Sequence, residues 1–346
     1  MRRRTLLSLL AAPTLRSQSL PLERLTSPPG FHWFGYYDKL QFDPTSRFVL
    51  AQRVAFEHRS PTPADEIIIG VIDRHERNSW REIGRTRAWN WQQGAMLQFL
   101  PHSPSRVLWN DRVGNQFVCR LHDLATNRTE TLPAPVYTLS PDGRHAVSPD
   151  FRRLNDCRPG YGYAGIPDPN AAQPAPRNAG IWQTDLQSGK QRLLISLAQA
   201  AAIPHLEPFS SGAKHWFNHL LYSPDGARFI FLHRWRGAKE GTSFATRMFT
   251  ASSTGKDLYP LDPHGRTSHF IWRDPAHVLA WARHPMRPHE RFFLYKDRAD
   301  QVDVIGEDLM TVNGHCSYLP GNRYILNDTY PDRDRLQHLY LYDTTT

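Results

Sequence analysis

Cysteine is almost missing. Cys119, Cys157 and Cys316 are the only three in 346 residues, an odd number with no C-x-x-C pair, so neither a disulfide framework nor a zinc knuckle is available. Cys316, beside His315 in an apolar stretch, reads as a small core filler. Lysine is scarce as well, supplying six of the 42 cations in a chain of formal net charge +9. Arginine pairs bidentately with carboxylate, sulfate or phosphate, so this bias suits an anionic partner; a GC-rich genome produces the same bias without functional meaning. Past the first dozen residues nothing approaches the roughly 18 to 20 unbroken apolar residues of a membrane span. Phosphate-binding glycine loops, nucleophile elbows and H-E-x-x-H are missing, which removes the common nucleotide, serine-hydrolase and zinc-protease readings. Facing carboxylates are also scarce: Asp111, Asp150 and Asp328 close strands in different units, whereas glycoside hydrolysis needs two across one bond. No basic run interleaves with aromatics, which argues against a nucleic-acid partner.

What the chain does have is turns and repetition. Its 28 Pro and 21 Gly suit many short strands rather than long helices. Three stretches, 219–235, 269–285 and 315–331, align without a gap. Each reads as His, an apolar strand, a turn, and a second apolar strand with polar or charged closing residues. Looser copies lie at 39–53, 95–111 and 136–151, and short strand pairs separate the hairpins. Four strands recurring about every 46 to 50 residues predict an all-β fold, a β-propeller of four-stranded blades; a β-sandwich lacks this register. Five blades count as complete and a sixth begins at His315. The chain then stops where a strand pair should turn back. Half a blade would leave an unpaired edge, so the expectation is a truncated last blade, or a ring completed by the N-terminal strand and a partner or second copy.

Residues 1–25 read as a leader, with Arg3-Arg4-Thr5-Leu6-Leu7 like a twin-arginine export signal, which predicts a periplasmic or secreted protein. Residues 26–346 then form one domain. The excursion at 152–177 breaks the rhythm: its first half, with Arg158, Tyr161 and Tyr163, reads as a binding loop and the part after Pro167 as a solvated linker.

The second strand of a hairpin returns to where the first began. One rim should therefore collect His219 with His233, Arg234 and Arg236; His269 with Arg283 and His284; and His315 with Asp328 and Tyr330. His, Arg and Tyr suit β-elimination on a uronate: a cation neutralises the carboxylate beside the acidic proton, and His or Tyr moves protons. His219, Arg236 and Tyr161 are the catalytic candidates, with Arg236 on the carboxylate. His269, His315, Arg234 and Tyr163 are the substrate-binding candidates. His32, Tyr36 and Tyr37 lie in an aromatic segment that either stacks on sugar rings or packs to close the ring.

The Asn218-His219 cassette with its His233-Arg234-Trp235-Arg236 end, the strand starting Ser268-His269 and the run Asn313-Gly314-His315-Cys316-Ser317-Tyr318-Leu319-Pro320 resemble the propeller polysaccharide lyases of the ulvan-lyase and oligogalacturonate-lyase type. The likeness runs from about residue 31 to the end and is strongest over 215–343. It implies seven blades, cleavage of an acidic oligo- or polysaccharide by elimination, and a divalent cation such as Mn or Ca, here on His269 and His315. Trp91-Gln92-Gln93-Gly94 stands where such a lyase can carry another catalytic His. The alternative is a non-catalytic periplasmic propeller of the TolB-like kind, which Pro-Asp-Gly turns also build.

Overall fold

The computed structural model describes residues 22–237 and 243–345. Six antiparallel sheets follow one another, each with its strands hydrogen-bonded in chain order. The first blade comprises Phe31–Trp33, Phe48–Val54, Ile67–Asp73 and Ser79–Thr86; the second Gln98–Phe99, Arg106–Val113, Gln116–Asp123 and Arg128–Leu132. The third holds Thr138–Leu139, His145–Ser148, Gly180–Asp185 and Gln191–Ser196, and the fourth Lys214–Tyr222, Arg228–Arg236, Ala245–Ser252 and Tyr259–Asp262. Thr267–Asp274, His277–Ala282, Arg291–Lys296 and Val302–Ile305 make the fifth, and Cys316–Tyr318, Tyr324–Asp328 and Leu339–Asp343 the sixth. This is a β-propeller of six blades, five of four strands and a sixth of three among the described residues. It corrects the seven blades implied by the resemblance: that number came from other proteins, while the strand-turn-strand units of this chain supply six.

Two turns show why the hairpins recur. In Ser140-Pro141-Asp142-Gly143 and Ser223-Pro224-Asp225-Gly226 the serine hydroxyl donates to the aspartate at 2.5 and 2.6 Å and accepts the backbone N–H five residues on at 3.0 Å. The glycines take φ of 68° and 71°, open to Gly at no steric cost. Alternation then sorts the strands: Ile67, Ile69 and Val71 face Leu97, Val107 and Trp109 of the next blade. Ile230, Leu232 and Met248 likewise meet Phe270, Val278 and Phe293. Each such side chain removed from water contributes about 1.5–3 kcal/mol.

The excursion at 152–177 is built, not structureless. Helix Phe151–Cys157 buries Phe151, Arg153, Leu154 and Cys157. Arg153 reaches into the segment after Pro167, pairing with Asp168 at 3.1 Å and donating to the carbonyls of Asn170, Gln173, Pro174 and His215. The expected solvated linker is thus anchored on a buried guanidinium. No helix among the described residues is long and apolar enough to cross a membrane, and the leader's twin-arginine motif lies outside the described residues.

Candidate functional site

The segment after the first strand turns inward, and its Tyr36, Tyr37 and Lys39 meet residues of the third to sixth blades. Phe31–Trp33 pairs with Gln52–Val54, and pairing resumes where the Leu50 N–H donates to Gln41 O; between them the chain loops inward. Gln52 closes the gap, donating to Phe34 O at 2.8 Å and accepting from Ala95 N at 2.7 Å. Tyr37 is the hub of the loop. Its hydroxyl donates to Phe270 O at 2.7 Å and accepts from Phe270 N at 3.0 Å, and its ring lies 5.5, 6.0 and 4.9 Å from those of His219, His269 and His315. Tyr36 meets His315 of the sixth blade at 5.5 Å. Tyr36 and Tyr37 therefore pack at the ring centre, while His32 lies apart against Trp80.

His219 stands in mid-strand, where a bulge between Asn218 and Leu220 gives it φ 48°. The bulge re-aims its side chain to stack on Phe270 at 4.0 Å and to meet Asp38 Oδ2 at 3.3 Å through Nε2. It is 1% exposed, and burial pushes its pKa down to about 4 against the pull of Asp38. Asp38 also meets Lys39 at 3.0 Å, close but without hydrogen-bond alignment. Burial raises the Asp38 pKa, yet Lys39 and His219 outweigh it and hold the carboxyl at about 2. Burial lowers Lys39, whose ammonium lies 4.5 Å over the Tyr137 ring. His233, expected beside His219, turns the other way: it bonds His215 at 2.9 Å and accepts from Arg247 at 3.1 Å in a closed network.

His269 and His315 are ring neighbours at 4.1 Å. His269 Nδ1 meets Asn313 Oδ1 at 3.1 Å, and burial, then the charges of His315 and His219, push its pKa down to about 3. His315 Nδ1 meets Asp328 Oδ2 at 2.9 Å; its Nε2 is covered and has no partner. Tyr330, 46% exposed, packs edge-on to His269 at 5.7 Å. The tentative metal role does not fit. Two histidines are too few, and no group of three or more His, Cys, Asp or Glu among the described residues could hold an ion.

Arg234, the second choice in sequence, lies in this cluster. It is 7% exposed, and its Nε and Nη1 have no partner. Burial, then the charge of Arg158, push its pKa down to about 9, and it is close enough to act on Tyr36, Tyr137, Tyr161 and His219. Arg236 is spent elsewhere, donating to Cys157 O at 3.1 Å beside Trp216. Tyr161 is half-buried under the Arg158 guanidinium at 3.9 Å. Tyr163 is fully enclosed, stacked on Phe151 at 4.1 Å with its hydroxyl accepting from Asn110, and offers a ligand no surface. Arg283 and His284 close their strand away from these rings; His284 pairs with His264 at 5.0 Å. Of the carboxylates that end second strands, Asp111 pairs with Arg120, Asp150 with Arg152 and Asp328 with His315.

Sequence reasoning missed Asp38, Lys39 and Phe244, and it placed Arg158 in the binding loop without giving it a role. A signal existed for the first two: an acid and a base follow two tyrosines at an inner-strand position, where buried charge has to be paired.

No family model matches the chain, and no curated protein matches it in sequence. Its solved structural neighbours include an oligogalacturonate lyase from Vibrio parahaemolyticus, 12% identical over 93% of this chain and 78% of that one, with a TM-score of 0.63. An oligogalacturonate lyase in complex with manganese is 15% identical over 93% and 92%, with a TM-score of 0.51. The β-propeller domain of the Trilobed protease from Pyrococcus furiosus, described as an open velcro topology, is 11% identical over 90% and 82%, with a TM-score of 0.50. At these identities the likeness shows the propeller fold alone.

Proposed function

We propose that the chain is an exported propeller lyase that binds an acidic, uronate-containing oligo- or polysaccharide at the mouth formed by Tyr161, Tyr330, Arg234 and His315 and cleaves it by β-elimination. The observation that carries this is His315: a carboxylate fixes its Nδ1 as the donor, so Nε2 keeps the lone pair and lacks a partner. In this reading Nε2 takes the proton at C5 of the uronate. The electron pair left behind forms the C4–C5 double bond, the C4–O bond breaks, and the leaving oxygen takes a proton from Tyr330 or Tyr161. Arg234 offsets the charge that develops on the carboxylate. His219, held by Asp38 beneath Tyr36, supports the cluster from below. Two neighbours of the same fold named as oligogalacturonate lyases agree with this chemistry.

The coverage of His315 Nε2 and the enclosure of His219 favour a second reading, a non-catalytic propeller that binds acidic glycans. Ultraviolet absorbance of an unsaturated uronate product decides between them. Pectic, ulvan or glycosaminoglycan oligomers should give a rise that His315→Ala abolishes; binding without any rise leaves the second reading. Cell fractionation checks export, and an unprocessed chain kept in the cytoplasm removes it.

A further inference from the structure

Arg158 closes helix Phe151–Cys157, its N–H donating to Leu154 O at 2.8 Å, and Arg234 lies near the end of strand Arg228–Arg236. Two separate elements thus bring two guanidiniums to one aromatic wall. Their central carbons lie 4.5 and 4.9 Å from the Phe244 ring centre. Arg158 Nη1, like Arg234 Nε and Nη1, is buried with no hydrogen-bond partner among the described residues. The carboxylates of this face are committed elsewhere: Asp38 to Lys39 and His219, Asp156 to Lys214, Asp168 to Arg153, Asp328 to His315. Among the described residues, no acid pairs with either arginine.

Arg234 is enclosed and Arg158 half-buried with its Nη1 covered, and two adjacent cations so placed without counter-charge cost stability. Aromatic faces soften that cost by about 1–2 kcal/mol each but leave the N–H groups unsatisfied. An oxyanion set between the two forks satisfies the donors and cancels the repulsion together. A neutral ester of the same shape supplies no charge, so it would leave both cations unmatched.

We propose that Arg158 and Arg234 form one oxyanion site that selects glycan units by a free acid group, carboxylate or sulfate ester, and rejects the methyl-esterified sugar. This rests on the reading of the mouth as a glycan site and adds what the site demands of its ligand.

Titration calorimetry tests it with three probes: an unesterified oligogalacturonate, its methyl ester, and a sulfated neutral oligosaccharide. The acid should bind at least about tenfold more tightly than the ester, which is 1.4 kcal/mol. Arg158→Gln and Arg234→Gln should each weaken acid binding by about tenfold or more, while Arg236→Gln leaves it unchanged. Binding of the sulfated probe alone, lost in the same two variants, keeps the site and names sulfate as the group. Equal affinity for acid and ester, or full affinity in both variants, overturns the proposal. Thermal melting guards against misfolding. Removing an unpaired charge should hold or raise Tm without ligand and abolish the rise that the acid gives the wild type, whereas a lowered ligand-free Tm in both variants marks structural arginines and overturns the proposal. Product absorbance on the same samples separates this from the lyase reading. Arginine-dependent binding without product removes only the lyase; product formed equally by both variants removes this site together with the charge-offsetting role of Arg234, and leaves His315 as the base.

Discussion

Asp328 grips His315 twice, accepting its backbone N–H on Oδ1 at 2.5 Å and meeting Nδ1 through Oδ2 at 2.9 Å. The two bonds fix both the ring's position and its tautomer, because an ionised carboxylate can only accept. Asp328→Asn should keep the backbone bond while its amide N–H₂ competes for Nδ1, moving the proton to Nε2 and removing the lone pair. The expected result is a fall of about 10²-fold in product formation, with binding of the acid probe unchanged and the pH profile displaced. An unaltered rate removes His315 as the base.

Tyr37 joins the first blade's inward loop to the fifth blade through both polar groups of Phe270. Tyr37→Phe keeps the ring among the three imidazoles and deletes only the oxygen. Phe270 N–H and C=O are then left without that partner at a buried position, which costs about 1–3 kcal/mol for each unsatisfied group. Urea unfolding should show a lower midpoint with an unchanged m-value. A midpoint equal to the wild type would mean that the loop is held by packing alone.

The propeller was legible because its signals are local and repeat. Period-two strands and Pro-Asp-Gly turns recur in a fixed register, and that register also carries His219, His269 and His315 to one axis. The blade number was borrowed from a resemblance, and the chain's own units corrected it. Helix Phe151–Cys157 was hidden because two turns are too few to show a 3.6-residue period. The choice between Arg234 and Arg236 was beyond sequence for a different reason. Residues two apart on a strand share a face, so only contacts from distant elements, Cys157 O on Arg236 and the Phe244 ring on Arg234, separate their environments.

Buried neutral histidines make stability depend on acid. His219 is held at about 4 and His269 at about 3, in both cases first by burial, whereas an unfolded chain titrates near 6.5. Their folded values are depressed, so the unfolded state binds more protons as pH falls below about 6.5. Stability should be full above that value and decline through pH 4, with His219 contributing on the order of 3 kcal/mol. Asp38, held at about 2, adds a loss only below about 3.8. Urea unfolding at pH 7 and pH 4.5 measures the decline, and His219→Gln should make it shallower while leaving the share of His269. Parallel pH dependence in both proteins would show that His219 is not the group responsible.

Arg153 offers the sharpest test of how the mouth is assembled. Its guanidinium is 2% exposed and meets Asp168 and four carbonyls, so one side chain fixes the chain from Asp168 to Pro174 against the helix that ends at Arg158. Arg153→Met keeps much of the volume but leaves Asp168 buried without its cation, and breaking such a pair costs about 3–5 kcal/mol. Asp168→Asn in the same background removes the stranded charge and should restore part of that loss, a coupling that a double-mutant cycle reads directly. Because Arg158 caps the same helix, acid binding should weaken in Arg153→Met and recover in the double variant. A double variant no more stable than Arg153→Met would show that the carbonyl contacts, rather than the ion pair, hold this segment in place.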